Sequence, residues 1–171
     1  MEERKGVVTI GGKPVTLLGR EIKVGDKAPD FTIITKDSEP FDFKSTSGKI
    51  RLISVFLSLD TGICDTQARR FNEETASFGD KVEILNISVD LPYTQKRWCG
   101  AAGIDKIKLL TDHRDVQFGE AYGVLVKGLR VLARAIFVID QDDVVKYVEY
   151  LPEIGSHPDY DKAIQAVKNL L

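Results

Sequence analysis

The sequence predicts an α/β fold, a partly parallel central sheet with helices on both of its faces. Three observations carry that expectation. From Ile50 onward, apolar runs alternate with stretches of helical spacing in the order β-α-β-α-β-α-β-β-α, the pattern of strands joined by right-handed helical crossovers. The runs Ile50–Leu57, Val82–Val89 and one within Leu129–Ile139 read as buried core strands. Lastly, the turn Asp140-Gln141-Asp142-Asp143 leads into Val144–Tyr150, which reads as an antiparallel partner and makes the sheet mixed.

Before this unit stands an extension of short strands. Val7–Ile10 and Val15–Leu18 flank Gly11-Gly12, a hairpin signature. A loop over Gly25–Asp30 leads to a short strand, Phe31–Ile34, and Pro40–Phe43 is a further short strand. Within the main unit, Cys64 is followed at four, seven, eleven and fourteen places by Ala68, Phe71, Thr75 and Phe78, one face of a helix. Asp90-Leu91-Pro92 ends the second core strand, and a short helix runs from about Tyr93 to Ala102, weakened at its end by Gly100 and Gly103. Ile107–Leu110 reads as a short strand and Arg114–Tyr122 as a short helix. Ser156-His157-Pro158 start the last helix, whose apolar face is Tyr160, Ala163, Ile164, Val167 and Leu171. No linker, repeat or low-complexity stretch interrupts residues 1–171, so one domain is expected.

Composition narrows the function classes. The chain is 43% hydrophobic and 29% charged, ordinary for a globular domain. A net charge of −2 makes no electrostatic case for nucleic acid or an anionic membrane as partner. No apolar run approaches the roughly 20 residues of a membrane span. The segment Met1–Gly6 lacks the apolar stretch of a secretory leader, so a cytoplasmic location is expected. Two cysteines, Cys64 and Cys99, are too few for a secreted disulfide scaffold. His113 and His157 form no ligand pattern with them, so no metal is expected.

The chemistry concentrates between Ile50 and Phe78. A buried strand ends in the polar turn Ser58–Ile63, and Cys64 then stands at the start of a helix. Free N–H groups and the positive end of the helix dipole favour an anionic sulfur at such a place. Arg134, a charge within the apolar run Val131–Ile139, is costly there unless paired or functional.

Three segments resemble the bacterial thiol peroxidases, the atypical two-cysteine type of the peroxiredoxins. They are Asp60-Thr61-Gly62-Ile63-Cys64-Asp65 with Arg69–Glu74, Asp90-Leu91-Pro92 with Arg97-Trp98-Cys99-Gly100, and Leu132-Ala133-Arg134-Ala135. The resemblance runs from the N-terminal hairpin to the last helix. It implies a thioredoxin-like fold with a β-hairpin extension. It also implies Cys64 as peroxidatic cysteine, Cys99 as resolving cysteine, and Thr61 and Arg134 as the rest of the site. The implied reaction is reduction of hydrogen peroxide and organic hydroperoxides, reset by thioredoxin, with no cofactor or metal, in a homodimer. One position departs from the family pattern Pro-x-x-x-Thr-x-x-Cys: Leu57 stands where the proline belongs.

Peroxide reduction needs a thiolate to attack one oxygen while preplaced donors receive the charge moving onto the other. Thr61 offers a hydroxyl, Arg134 a fork of N–H groups, and the turn its backbone N–H groups. A sulfenic acid at Cys64 condenses with a second thiol, and Cys99 is the other one in the chain. Both cysteines read as helical, so local unwinding accompanies the disulfide. Two alternatives stand beside this reading. Leu57 keeps open a redox sensor or scaffold with an impaired site. A general disulfide oxidoreductase is disfavoured, because Gln67 and Thr61 occupy the places where a Cys-x-x-Cys partner would stand.

Overall fold

A computed structural model describes residues 1–103 and 108–171 and, within them, every side chain but those of residues 75 and 76. In chain order the elements are β1 (Glu3–Ile10), β2 (Lys13–Leu18), β3 (Thr32–Thr35), β4 (Pro40–Asp42), β5 (Ile50–Val55), α1 (Gly62–Phe78), β6 (Val82–Ser88), α2 (Pro92–Ala102), β7 (Lys108–Thr111), α3 (Gln117–Ala121), β8 (Leu125–Val126), β9 (Ala135–Ile139), β10 (Val145–Tyr150) and α4 (Tyr160–Lys168).

A seven-stranded sheet has the order β10-β9-β5-β6-β7-β3-β4. Its centre, β5 with β6 and β6 with β7, is parallel, as strands joined by the crossover helices α1 and α2 require. β9 runs antiparallel to β5, and β10 antiparallel to β9, so the mixed sheet expected from the last hairpin is present. The hairpin β1–β2 turns at Gly11 and Gly12, whose φ values of 57° and 81° are the left-handed conformation a tight two-residue connection demands. It is extended to a three-stranded sheet by β8, a pairing of two residues that is too short to leave a periodic signature.

Side chains alternate across β5, and the two faces bury different cores. Ile50 and Leu52 join Phe71 of α1, Ile84, Val138, and Ile164 and Val167 of α4, with Trp98 and Cys99 of α2 packed against that cluster. Ile53 and Val55 face the other cluster, which joins the hairpin residues Val8 and Leu17 to Phe31, Phe118, Tyr122 and Phe137. Phe118 stacks on Tyr122 at 4.5 Å and meets Phe31 edge-on at 5.0 Å. Each such buried ring contributes about 1.5–3 kcal/mol. Arg51 also points into this second face, fully buried. Its guanidinium is spent on the carbonyls of Thr46 and Asp140, the Asp143 carboxylate and the face of Phe43.

Several boundaries differ from expectation, each for a local reason. Phe43 leaves the strand for a short 3-10 turn because the Asp42 carboxylate accepts from the Lys44 N–H. α3 starts at Gln117 instead of Arg114, since Val116 sits at φ 46° and the Asp112 carboxylate accepts from the N–H groups of Phe118 and Gly119. α4 starts at Tyr160, with Asp159 accepting from the Lys162 N–H at 3.0 Å. Leu171 lies beyond the end of that helix and is exposed, so it is not part of the apolar face. The start of the short strand at Ile107 and the side chain of Thr75 lie outside the described residues.

Candidate active site

Thr61 is the N-cap of α1, in extended conformation, and Cys64 is the third residue of the helix. Its own N–H and those of Gly62 and Ile63 lie in the first turn, where backbone donors have no partner within the helix. The apolar spacing fixes which way the sulfur points: Cys64, Ala68 and Phe71 are all buried against the sheet. The turn before the helix is held from the next loop. The Asp90 carboxylate accepts from the Ser58 hydroxyl at 2.8 Å and the Leu59 N–H at 2.9 Å, and also from the Ser88 hydroxyl. The Thr61 hydroxyl donates to the Ser58 carbonyl at 2.9 Å. Its lone pairs are what remains for another molecule, so toward the site it is an acceptor, where the sequence suggested a donor.

Arg134 reaches the sulfur from the segment preceding β9. It is 2% exposed, and its three nitrogens are separately employed. Nη2 donates to Cys64 Sγ at 3.2 Å, Nη1 to Gln67 Oε1 at 2.7 Å, and Nε to the Ile154 carbonyl at 2.9 Å. Gln67, fully buried one turn after Cys64, in turn donates to the Ser54 hydroxyl at 2.6 Å. The cost of burying the guanidinium is offset by one acceptor for each nitrogen, and its positive charge is set against the sulfur. Arg130, by contrast, turns away to the carbonyls of His113 and Arg114.

Beside Thr61 and Arg134 opens a mostly apolar pocket of about 310 Å³, lined also by Ile10, Gly11, Leu57 and Ile63 among others, while Cys64 itself is fully buried and not part of the lining. Its far wall is a junction between the hairpin tip and the loop after β10. There the Glu153 carboxylate accepts from the N–H groups of Gly12 at 2.8 Å and Gly155 at 2.6 Å, and from the Thr9 hydroxyl at 2.9 Å. Those three donors, with Gly155 the strongest, stabilise the carboxylate and hold its pKa below the usual carboxylate range, at about 2. Cys99 is half-buried on α2 and lies outside the pocket wall. Among the described residues no cluster of His, Cys, Asp and Glu is arranged to hold a metal ion.

The Redoxin family pattern matches residues 23–164. The chain is 57% identical over 164 residues to the thiol peroxidase of Halalkalibacterium halodurans, covering 96% of this chain and 98% of that one. The chain belongs to the redoxin family. This redoxin is also 54% identical to the thiol peroxidase of Bacillus subtilis, again over 96% of this chain and 98% of that one. A peroxiredoxin-like protein from Aquifex aeolicus superposes with a TM-score of 0.90 at 38% identity, over 97% of this chain and 98% of that one. The redoxin is therefore a peroxiredoxin-type enzyme, a thiol-dependent peroxidase on a thioredoxin-like fold.

The structure brings Thr61, Cys64 and Arg134 together and leaves Cys99 on a separate helix. Sequence reasoning missed three members of this redoxin site. Gln67 was legible only as a polar residue interrupting an apolar helix face. Asp90 was legible only as part of the Asp90-Leu91-Pro92 segment and Glu153 not at all, because each acts on a loop distant in sequence.

Proposed function

We propose that this peroxidase reduces hydrogen peroxide and organic hydroperoxides through Cys64 and resets itself through Cys99. The supporting observation is the Arg134 Nη2 hydrogen bond to Cys64 Sγ at 3.2 Å, at the first turn of a helix that Thr61 caps. Cys64 sulfur, as thiolate, attacks the terminal oxygen of ROOH. An S–O bond forms as the O–O bond breaks, giving Cys64–SOH and RO⁻, which takes a proton to leave as ROH. Thr61 accepts the hydrogen bond of the peroxide OH, and Arg134 donates to the oxygens as charge passes onto the leaving one. The apolar walls Ile10, Leu57 and Ile63 suit a hydrocarbon R group as well as hydrogen.

The sulfenic acid then condenses with the Cys99 thiol. An S–S bond forms and water leaves. Cys64 is in the first turn of α1 and Cys99 is the eighth of eleven residues in α2, so both helices yield locally for the sulfurs to meet. A thioredoxin-type dithiol reduces the disulfide. Residues 1–171 serve as one domain, supported by the shared core of hairpin and main sheet. On the family resemblance the enzyme acts as a cytoplasmic homodimer. Cys64→Ser is expected to abolish peroxide consumption. Cys99→Ser is expected to consume one equivalent and stop at the sulfenic acid or beyond it, as read by mass spectrometry. Turnover in Cys64→Ser, or normal cycling of Cys99→Ser with thioredoxin, would sink the two-cysteine cycle.

A further inference from the structure

The residue beside each cysteine is bonded to the other. Trp98, next to Cys99, donates its indole N–H to Asp65, next to Cys64, at 2.6 Å. The second oxygen of that carboxylate accepts from Arg69 Nε at 2.8 Å, and the Arg69 guanidinium lies 5.7 Å over the Trp98 ring. A carboxylate, an indole and a guanidinium thus close a ring of contacts between the first turns of α1 and the second half of α2. The segment of α2 that bears Cys99 is otherwise weakly built. Gly100, Ala101, Ala102 and Gly103 follow it, with Gly103 in the left-handed conformation that ends the helix.

We propose that the Asp65–Trp98–Arg69 contact is a latch that restrains α1 and α2 in their helical state, and so sets how fast the sulfenic acid is resolved. This rests on the two-cysteine cycle proposed above. Resolution joins Cys64–SOH and Cys99–SH as Cys64–S–S–Cys99 with loss of water, and requires both helix ends to unwind. A charge-assisted hydrogen bond present only in the helical state opposes that step and leaves the sulfenic acid exposed for longer. In that interval a second peroxide can oxidise Cys64–SOH to Cys64–SO₂H, itself leaving as ROH. Asp65, Arg69 and Trp98 are positioning residues for resolution, since none of them touches the reacting oxygens. A half-exposed charged hydrogen bond of this kind corresponds to about a three- to tenfold change in the unwinding equilibrium.

The test uses Trp98→Phe, which keeps the ring and removes the N–H, and Asp65→Asn, which keeps a carbonyl acceptor and removes the charge. Trp98 is the chain's one tryptophan, so its fluorescence in Asp65→Asn and in the parent reports α2 directly. Quenched-flow mass spectrometry with hydrogen peroxide follows sulfenic acid, disulfide and sulfinic acid separately. Both variants are expected to form the disulfide about three to ten times faster, with the peroxide concentration for half overoxidation raised by the same factor. The double variant is expected to gain little more than either one alone. The rate of Cys64 oxidation in Trp98→Phe should stay within about twofold of the parent, which a general loss of structure would not allow. Disulfide formation that is unchanged or slower in Trp98→Phe overturns the latch and leaves the two-cysteine cycle standing. Absence of the disulfide in the parent overturns both.

Discussion

Among the described residues two arginines are buried, and their surroundings separate their roles. Arg51 spends its two terminal nitrogens on carbonyls and a carboxylate within the second core. Arg134 turns one nitrogen on the Cys64 sulfur, with Gln67 and the Ile154 carbonyl keeping the plane of the fork in place. Arg134→Ala is therefore expected to slow Cys64 oxidation by about 10²–10³, the loss typical of one preplaced donor, as measured by stopped flow. Arg130→Ala, whose partners are backbone carbonyls in a surface loop, should change that rate by less than about threefold. Arg134→Lys should also be impaired, because an ammonium cannot hold three acceptors in one plane. Equal small effects at 130 and 134 would contradict the assignment. Leu57 lines the pocket beside Thr61 and Ile63. A proline there has a fixed φ and stiffens the start of the turn. Leu57→Pro is expected to raise the rate of Cys64 oxidation, by up to about 10²-fold, while moving the denaturant midpoint little. An unchanged rate would mean that Asp90 already holds the turn well enough.

At the scale of elements, the hairpin β1–β2 matters through where its tip is fastened. Thr9 pairs with Glu153 as a short parallel bridge, and the Ile154 N–H donates to the Thr9 carbonyl at 2.9 Å. The same Ile154 offers its carbonyl to Arg134, so the hairpin, the loop after β10 and the guanidinium are mechanically one assembly. Glu153→Ala removes the acceptor of three donors at that junction. It is expected to reduce Cys64 oxidation by about tenfold, less than Arg134→Ala, because the fork is displaced but not removed. Stopped-flow traces of the two variants, side by side, decide this. A Glu153→Ala protein that reacts at the parent rate would show that the hairpin leaves the site undisturbed.

For the molecule as a whole, two carboxylates give stability opposite pH dependences. Glu153 is held at about 2, below its ordinary value of 4.5, by its donors. Its contribution is present above the ordinary carboxylate range and is lost as pH falls through that range toward 2. Asp112 is pushed up from 3.8 to about 6 by burial, against the two N–H bonds from α3. The folded state binds its proton more readily than the unfolded chain, so stability rises as pH falls from about 6 toward 4. Thermal midpoints measured across that range should show a maximum near pH 4–5 from these two groups. Asp112→Asn should flatten the slope above it, and Glu153→Ala the slope below it. A slope above pH 5 unchanged in Asp112→Asn would mean that other groups carry it.

The central strands, α1 and α2, and the mixed character of the sheet were legible because each is local: apolar runs, a 3.6-residue spacing and one hairpin turn specify them without reference to the rest of the chain. Cys64 was legible as a sulfur at a helix start for the same reason, and the grouping with Thr61, Cys99 and Arg134 came from resemblance. What the tertiary structure alone decided is how Arg134 meets the sulfur, through Nη2 at 3.2 Å. It also decided that Gln67 and Ile154 aim that arginine, that Asp90 and Glu153 fasten the walls, and that Trp98 is bonded to Asp65. The contacts between elements in this set join residues 20 to 144 positions apart. Hydrogen bonds at such separations are set by the packing of the two cores, and packing leaves no period in a sequence.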